Sequence, residues 1–182
     1  MIDGSLFKNE FFDSAKKTLD LATDKMITHN FEVYDFDDVK KNYCNKYNSS
    51  NEASKSVDTI LINKQHDRIV FIECKSGSLI GRNSGKKKSD IKSKLRDSLL
   101  IFNDINSKNL DFSRDKAEFI LLYDESENPS LGAIQKRLSQ KAGEEFIKFD
   151  LGIMRGVFVK NVHTYTVDEF NKYLADNNVQ WT

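Results

Sequence analysis

Three residues have the types and the spacing to do chemistry together: Asp58, Glu73 and Lys75, in the segments Ser56-Val57-Asp58 and Phe71-Ile72-Glu73-Cys74-Lys75. Val57 to Ile62 and Arg68 to Lys75 are rich in β-branched and apolar residues and read as two strands, with the polar Asn63 to Asp67 as the turn between them. If Gln65 and His66 centre that turn, cross-strand partners mirror about it and Asp58 falls opposite Glu73. Residues opposed in this way have Cβ atoms ~4.5–5.5 Å apart. Lys75 is two positions beyond Glu73, so the strand period puts it on the same face. A three- or five-residue turn would shift this register. Ile60 and Ile62 share the face of Asp58, and Ile69 and Phe71 that of Glu73, so the charges end an apolar face. A solvated strand face with a minor surface salt bridge would be polar along its length. Two facing carboxylates repel unless a cation lies between them. Magnesium, or manganese in its place, takes oxygen ligands of this kind together with waters and substrate phosphate. A lysine beside such an ion can orient or help deprotonate a water, while the ion polarises a phosphate. These are the elements of phosphodiester hydrolysis. On this reading, deleting either carboxylate relieves repulsion and leaves the metal-free chain at least as stable.

The same segments resemble the D…ExK signature of the PD-(D/E)xK nucleases, with fourteen residues between Asp58 and Glu73. The motif covers residues 56–75, and the accompanying layout extends over residues 5–125. Val57 stands where the family signature has proline. The resemblance implies an α/β fold with a restriction-endonuclease-like core, a central mixed β-sheet flanked by helices. It implies that Asp58 and Glu73 bind metal, that the backbone carbonyl of Cys74 is a further ligand, and that Lys75 positions the nucleophilic water. Many members carry a glutamate on the first helix, and Glu10 is the candidate here, although its helical phase also suits a solvated acid. The activity implied is metal-dependent cleavage of DNA. RNA cleavage and a catalytically silent scaffold that binds nucleic acid or a protein remain as alternatives; the complete acid–acid–lysine set favours catalysis.

The positioning elements follow from periodicity. Phe7, Phe11, Ala15, Leu19, Ala22 and Met26 predict a helix over residues 5–28, capped by Asp3 or Ser5. Phe31 to Phe36 reads as a short strand, and residues 37–55 as a polar stretch with a loop at Asn48 to Asn51. After the hairpin, residues 76–88 read as a Ser-, Gly- and Lys-rich loop. Ser89 to Ile105 then reads as a helix with Ile91, Leu95, Ser98, Leu99 and Phe102 on one face and Ser89 as its cap. Ala117 to Tyr123 is an apolar strand, Pro129 starts a helix to about 142, and Gly152 to Val159 reads as a strand. Tyr165 marks another strand, and Val167 to Leu174 a final helix capped by Thr166. This alternation is an α/β layout in a single domain, residues 1–182. Residues 125–182 are candidates for an accessory element or a homodimer interface.

Composition limits the function classes. The chain has 182 residues, 38% hydrophobic and 31% charged, enough for a sizeable core. Lys plus Arg and Asp plus Glu are 28 each, so the formal net charge is zero and any nucleic-acid partner must be held by a local patch. Residues 75–96 supply one. Lys75, Arg82, Lys86, Lys87, Lys88, Lys92, Lys94 and Arg96 face a single acid, Asp90, and Arg82, Lys86, Lys87 and Lys88 are the candidate phosphate contacts. The alternative for them is a solvated loop. Two cysteines form neither a disulfide framework nor a zinc site and suit a cytoplasmic protein. No segment reads as a signal peptide or a membrane span. His29, His66 and His163 lack metal-ligand spacing, and there is no Walker-type loop or nucleophile elbow.

Overall fold

The strand that carries Glu73 is apolar on both faces until its last three residues, which requires cover on both sides. The computed structural model, which describes residues 10–18, 32–63, 68–129 and 146–176, supplies that cover. Six strands form one mixed sheet in sequence order: β1 (Lys16–Thr18), β2 (Glu32–Asp35), β3 (Thr59–Ile62), β4 (Ile69–Lys75), β5 (Ala117–Tyr123) and β6 (Asn161–Tyr165). Pairing is antiparallel from β1 to β4 and parallel from β4 to β6. The helices are α1 (Glu10–Asp13), α2 (Phe36–Lys46), α3 (Ser84–Ile105), α4 (Leu110–Lys116) and α5 (Val167–Asp176). The fold is therefore α/β, a central mixed sheet flanked by helices. Among the described residues no helix is long and apolar enough to cross a membrane.

Strand alternation sorts the core into two layers. Ile60, Ile62, Ile69, Phe71, Phe119 and Leu121 pack against Ile91, Leu95, Leu99 and Phe102 of α3. Leu61, Val70, Ile72, Ile120 and Leu122 pack against Phe170, Tyr173 and Leu174 of α5. The β3–β4 register is the one expected from a turn centred on Gln65 and His66: Thr59 pairs with Ile72, Ile60 with Phe71, and Ile62 with Ile69. Residues 64–67 themselves lie outside the described residues. Thr166 caps α5 as expected. Its hydroxyl accepts from Glu169 N–H at 3.2 Å, and the Glu169 carboxylate accepts from Thr166 N–H at 2.9 Å, a reciprocal capping box.

Several expected elements differ. The helix expected over residues 5–28 is broken: α1 ends at Asp13 and the chain enters β1 at Lys16, because pairing with β2 outweighs local helix propensity. The rest of that span is not among the described residues. The polar stretch after Asp35 holds a helix. Phe36, Val39 and Cys44 are its buried residues, and the Asp35 carboxylate accepts from Asp38 N–H at 3.1 Å as its cap. The expected loop 76–88 ends early, since α3 starts at Ser84, with Asn83 rather than Ser89 in the cap position. The strand expected over Gly152 to Val159 is a 3-10 turn, Gly152–Met154, followed by a reversal at Gly156. Gly156 has φ +71°, and its N–H reaches Val159 carbonyl at 2.7 Å, so the chain turns where a strand would run on. The helix expected after Pro129 falls outside the described residues.

At the end of the sheet opposite Glu73, a half-buried charged pair joins Arg68, just before β4, to Glu118 of β5. Arg68 donates through Nε and Nη2 to the two oxygens of Glu118 at 3.0 and 3.1 Å, and through Nη2 to Tyr173 hydroxyl at 2.8 Å. Tyr173 in turn donates to Glu118 at 3.1 Å, and His163 Nε2 lies 3.5 Å away from it. Burial alone would raise the Glu118 pKa, but its bonds with His163 and Arg68 lower it from 4.5 to about 2. The folded-state pKa is depressed, so this group stabilises the fold fully above pH ~4.5 and loses that contribution as pH falls toward about 2. Glu118→Gln is expected to cost about 2 kcal/mol at pH 7, less than a fully buried pair because Arg68 is 23% exposed, since it removes the carboxylate that Arg68 and Tyr173 share. In urea denaturation across this pH window, the gap between wild type and variant closes on the acid side.

Candidate active site

The site lies where β4 runs out of apolar residues. Glu73 points to the α3 side of the sheet and is fully buried, 0% exposed. Cys74 alternates to the other side, against the α5 layer. Burial pushes the Cys74 thiol far up from its ordinary value, which disfavours the thiolate. Lys75 returns to the face of Glu73, and its Nζ lies 2.6 Å from Glu73 Oε1.

Asp58 comes to the same place by a different route. It precedes β3, and its carbonyl accepts from Phe36 N–H at 3.1 Å. The chain leading to it is fastened to two helices. Lys55 N–H donates to Asp97 at 2.8 Å, and Val57 N–H donates to the buried Ser98 hydroxyl at 2.9 Å, both on α3; Ser56 hydroxyl donates to Asp37 on α2. Asp58 Oδ2 then accepts from Cys74 N–H at 2.7 Å, which locks the carboxylate to the strand that bears Glu73 and puts the Cys74 peptide beside it. Asp58, Glu73 and Lys75 thus come together, although the β3–β4 ladder ends at Thr59 and Ile72 and Asp58 is tied to β4 through Cys74 N–H.

Sequence reasoning placed Lys94 only within a basic run. Its ammonium sits between the two acids, 2.8 and 3.0 Å from Glu73 Oε1 and Oε2 and 3.4 Å from Asp58 Oδ1. A signal was present. Ile91, Lys94, Leu95 and Ser98 follow the spacing of one helix face, so Lys94 is a charge set into the buried stripe of α3 and needs a partner there. Ser98 is the second polar member of that stripe and holds Val57. Burial and the charge of Asp58 raise the Glu73 pKa from its ordinary value, while Lys75 and Lys94 pull it back in part. For Lys94, burial works against the ammonium, but the Glu73 bond and both acidic charges carry its pKa upward.

The donor set suits a hard cation. Asp58 Oδ1 and Glu73 Oε1 both face the one position that the Lys94 ammonium takes, so a single cation spans them. Among the described residues no group of three or more His, Cys, Asp or Glu residues comes together. Two carboxylates with the remaining positions left to water and phosphate are what magnesium accepts, whereas a soft ion would need thiolate or imidazole. Glu10 is not brought into the group. It is exposed on α1, on a surface recess with Asn42, Asn45 and Lys46 of α2.

The basic residues are organised by α3. Lys86, Lys87 and Lys88 lie in its first turns and not in a loop. Lys87 Nζ donates to Ser78 carbonyl at 2.7 Å, and Lys88 pairs with Asp150 at 2.8 Å. Arg82 and Lys86 are exposed and make no ion pair among the described residues. Asn128 ties the loops after β4 and β5 together. Its side chain accepts from Leu79 N–H at 2.6 Å and donates to the carbonyls of Gly77 and Asp124. Compared with protein-family models, curated proteins and solved structures, the chain matches none.

The expectation that loss of one carboxylate stabilises the metal-free protein reverses on this geometry. Lys75 and Lys94 already neutralise the pair, so Glu73→Ala leaves two ammoniums facing each other. In urea denaturation with EDTA it is expected to cost about 2–3 kcal/mol. That is less than the ~3–5 kcal/mol of a fully buried pair, because Lys94 is 20% exposed and keeps Asp58. Asp58→Ala, which strips Cys74 N–H of its acceptor, is expected to cost ~1–2 kcal/mol.

Proposed function

We propose that the chain is a divalent-metal-dependent nuclease of the PD-(D/E)xK type with a restriction-endonuclease-like core, cleaving phosphodiester bonds in DNA. The observation that carries this reading is the meeting of Asp58 and Glu73 around one cation position at the end of β4, with Lys75 beside Glu73 on the same face.

When bound, magnesium or manganese would polarise the phosphate and lower the pKa of a coordinated water. Asp58 Oδ1 and Glu73 would hold it, with the Cys74 backbone carbonyl as the further ligand. Asp58 is kept in place by Cys74 N–H, so its second oxygen is already committed and its orientation set. Lys75 is 29% exposed, so its ammonium reaches solvent while touching Glu73, which suits a group that orients an attacking water and shuttles its proton. The covered, apolar surroundings of Glu73 strengthen each of these interactions.

Substrate phosphates would meet the N-terminal turns of α3. Lysines there oppose the helix dipole, and Asn83 adds no side-chain cap, so the first turns of α3 favour an arriving anion. Zero net charge leaves this local field as the feature that draws a polyanion.

Two outcomes are expected. The protein cleaves at least one of supercoiled plasmid, single-stranded DNA, branched DNA and RNA with magnesium or manganese, and EDTA stops it. Asp58→Ala, Glu73→Ala and Lys75→Ala lose cleavage but still bind substrate in calcium. Undiminished cleavage by all three variants, or robust cleavage in excess EDTA, overturns the reading; cleavage of RNA alone reassigns the substrate. The second outcome concerns Lys86, Lys87 and Lys88. Changing them together to Ala is expected to lower the salt slope of log K by ~0.7–0.9 for each phosphate that a lysine no longer neutralises. The variant's melting temperature is expected to change little, since relief of positive charge at a helix N-terminus is offset by loss of the Lys87–Ser78 and Lys88–Asp150 contacts. Filter binding over a salt series and thermal melting report the two effects.

A further inference from the structure

We propose that Lys94 is a resident counter-ion that must leave its seat between Asp58 and Glu73 before a divalent ion binds, so that metal and phosphate binding are coupled through this one side chain. This deepens the metal-dependent reading above and rests on it.

The oxygens decide the matter. Asp58 Oδ2 is taken by Cys74 N–H at 2.7 Å, which leaves Oδ1 to face Glu73. Glu73 Oε1 and Oε2 both accept from Lys94, at 2.8 and 3.0 Å, and Asp58 Oδ1 lies 3.4 Å from the same nitrogen. A magnesium ion binds carboxylate oxygen at ~2.0–2.1 Å. An ion that close to both facing oxygens would lie within about 5 Å of the ammonium, because Lys94 Nζ is 2.8 Å from Glu73 Oε1, in a half-buried place where like charges are poorly screened. Lys75 differs because, among the described residues, it pairs with Glu73 alone, at 2.6 Å from Oε1, whereas Lys94 bridges Glu73 and Asp58 and so fills the place between them.

Departure is open to Lys94. Its stem lies in the stripe of α3 between Ile91 and Leu95, and its side chain is 20% exposed. A four-carbon stem can stay buried while its ammonium swings outward. The displaced charge then needs an anion, and a phosphodiester drawn to the bound ion brings one. Linkage makes the effect reciprocal: whatever the phosphate adds to metal affinity, the metal adds to phosphate affinity. Metal alone would bind weakly, because it must first break the Lys94 bonds.

The test is calorimetric titration of the metal-free protein with manganese, without nucleic acid, for wild type, Lys94→Gln and Lys92→Gln. Removing the competitor is expected to tighten manganese binding by about fivefold or more, the low end of typical couplings. Lys92→Gln, which removes a charge from the same helix, is expected to change it less than about twofold. Lys94→Gln is also expected to melt at lower temperature in EDTA, since the acids lose their shared cation. In wild type, saturating oligodeoxythymidylate is expected to tighten calcium binding, and in Lys94→Gln that gain shrinks. Equal or weaker manganese binding by Lys94→Gln, with binding still abolished by Asp58→Ala, overturns the proposal and leaves the metal site standing. Absence of manganese binding by wild type and Lys94→Gln alike overturns the metal-dependent reading, and the proposal with it. If circular dichroism shows Lys94→Gln unfolded, the calcium titrations of wild type decide, and no gain from the oligonucleotide overturns the coupling.

Discussion

Glu73 carries a carboxylate into a sheet face that is otherwise hydrocarbon, and the end of β4 is arranged around that charge. With no exposure to water, the group costs several kcal/mol unless cations and hydrogen bonds surround it. Lys75 and Lys94 supply the cations, one from the same strand and one from the helix packed across it. Asp58 then finds a place beside Glu73 that two ammoniums have made tolerable. A stable metal-free protein and a site that favours positive charge are two consequences of the same constraint.

That constraint explains why the approach to β3 is so closely fastened. Asp58 stands outside the regular ladder and has no strand partner to hold it. Its backbone is instead held by Phe36, and its carboxylate by Cys74 N–H. Upstream, Asp97 and Ser98 of α3 and Asp37 of α2 take the polar groups of residues 55–57. The helix that delivers Lys94 also anchors the segment that delivers Asp58. The distance between the acids is thereby tied to the packing of α3 on the sheet through Ile91, Leu95 and Leu99. The Arg68–Glu118–Tyr173 network does the corresponding work at the far end, where β4, β5 and α5 meet.

Charge balance acts locally rather than globally. The chain is neutral as a whole, yet the first turns of α3 gather lysines that the helix dipole disfavours. Two of them are turned to protein partners, Lys87 to Ser78 carbonyl and Lys88 to Asp150. The first braces the loop after β4, which Asn128 fastens from the other side, and the second ties α3 to the segment before the 3-10 turn at Gly152. The basic surface beside the site is thus partly architectural, and what remains for a ligand is carried most plainly by Arg82 and Lys86.

The sequence by itself determined what depends on short-range pattern. Strand alternation and a turn centred on Gln65 and His66 set the β3–β4 register and put Glu73 and Lys75 on one face, at the end of the ladder that Asp58 adjoins. Thr166 and Glu169 are three residues apart, and the capping box they make is local as well. The tertiary structure alone decided which distant elements press on that hairpin. Pairing with β2 turned residues 16–18 into a strand within what reads as a helix, because ladder hydrogen bonds outweigh a few tenths of a kcal/mol of propensity per residue. Burial of Phe36 and Val39 made a helix of a polar stretch. Lys94 was legible as a charge in the apolar stripe of α3, but not as the partner of Asp58 and Glu73. Helix phase says which side of α3 Lys94 occupies; only the packing of α3 on the sheet, which brings together residues far apart along the chain, says what it meets there.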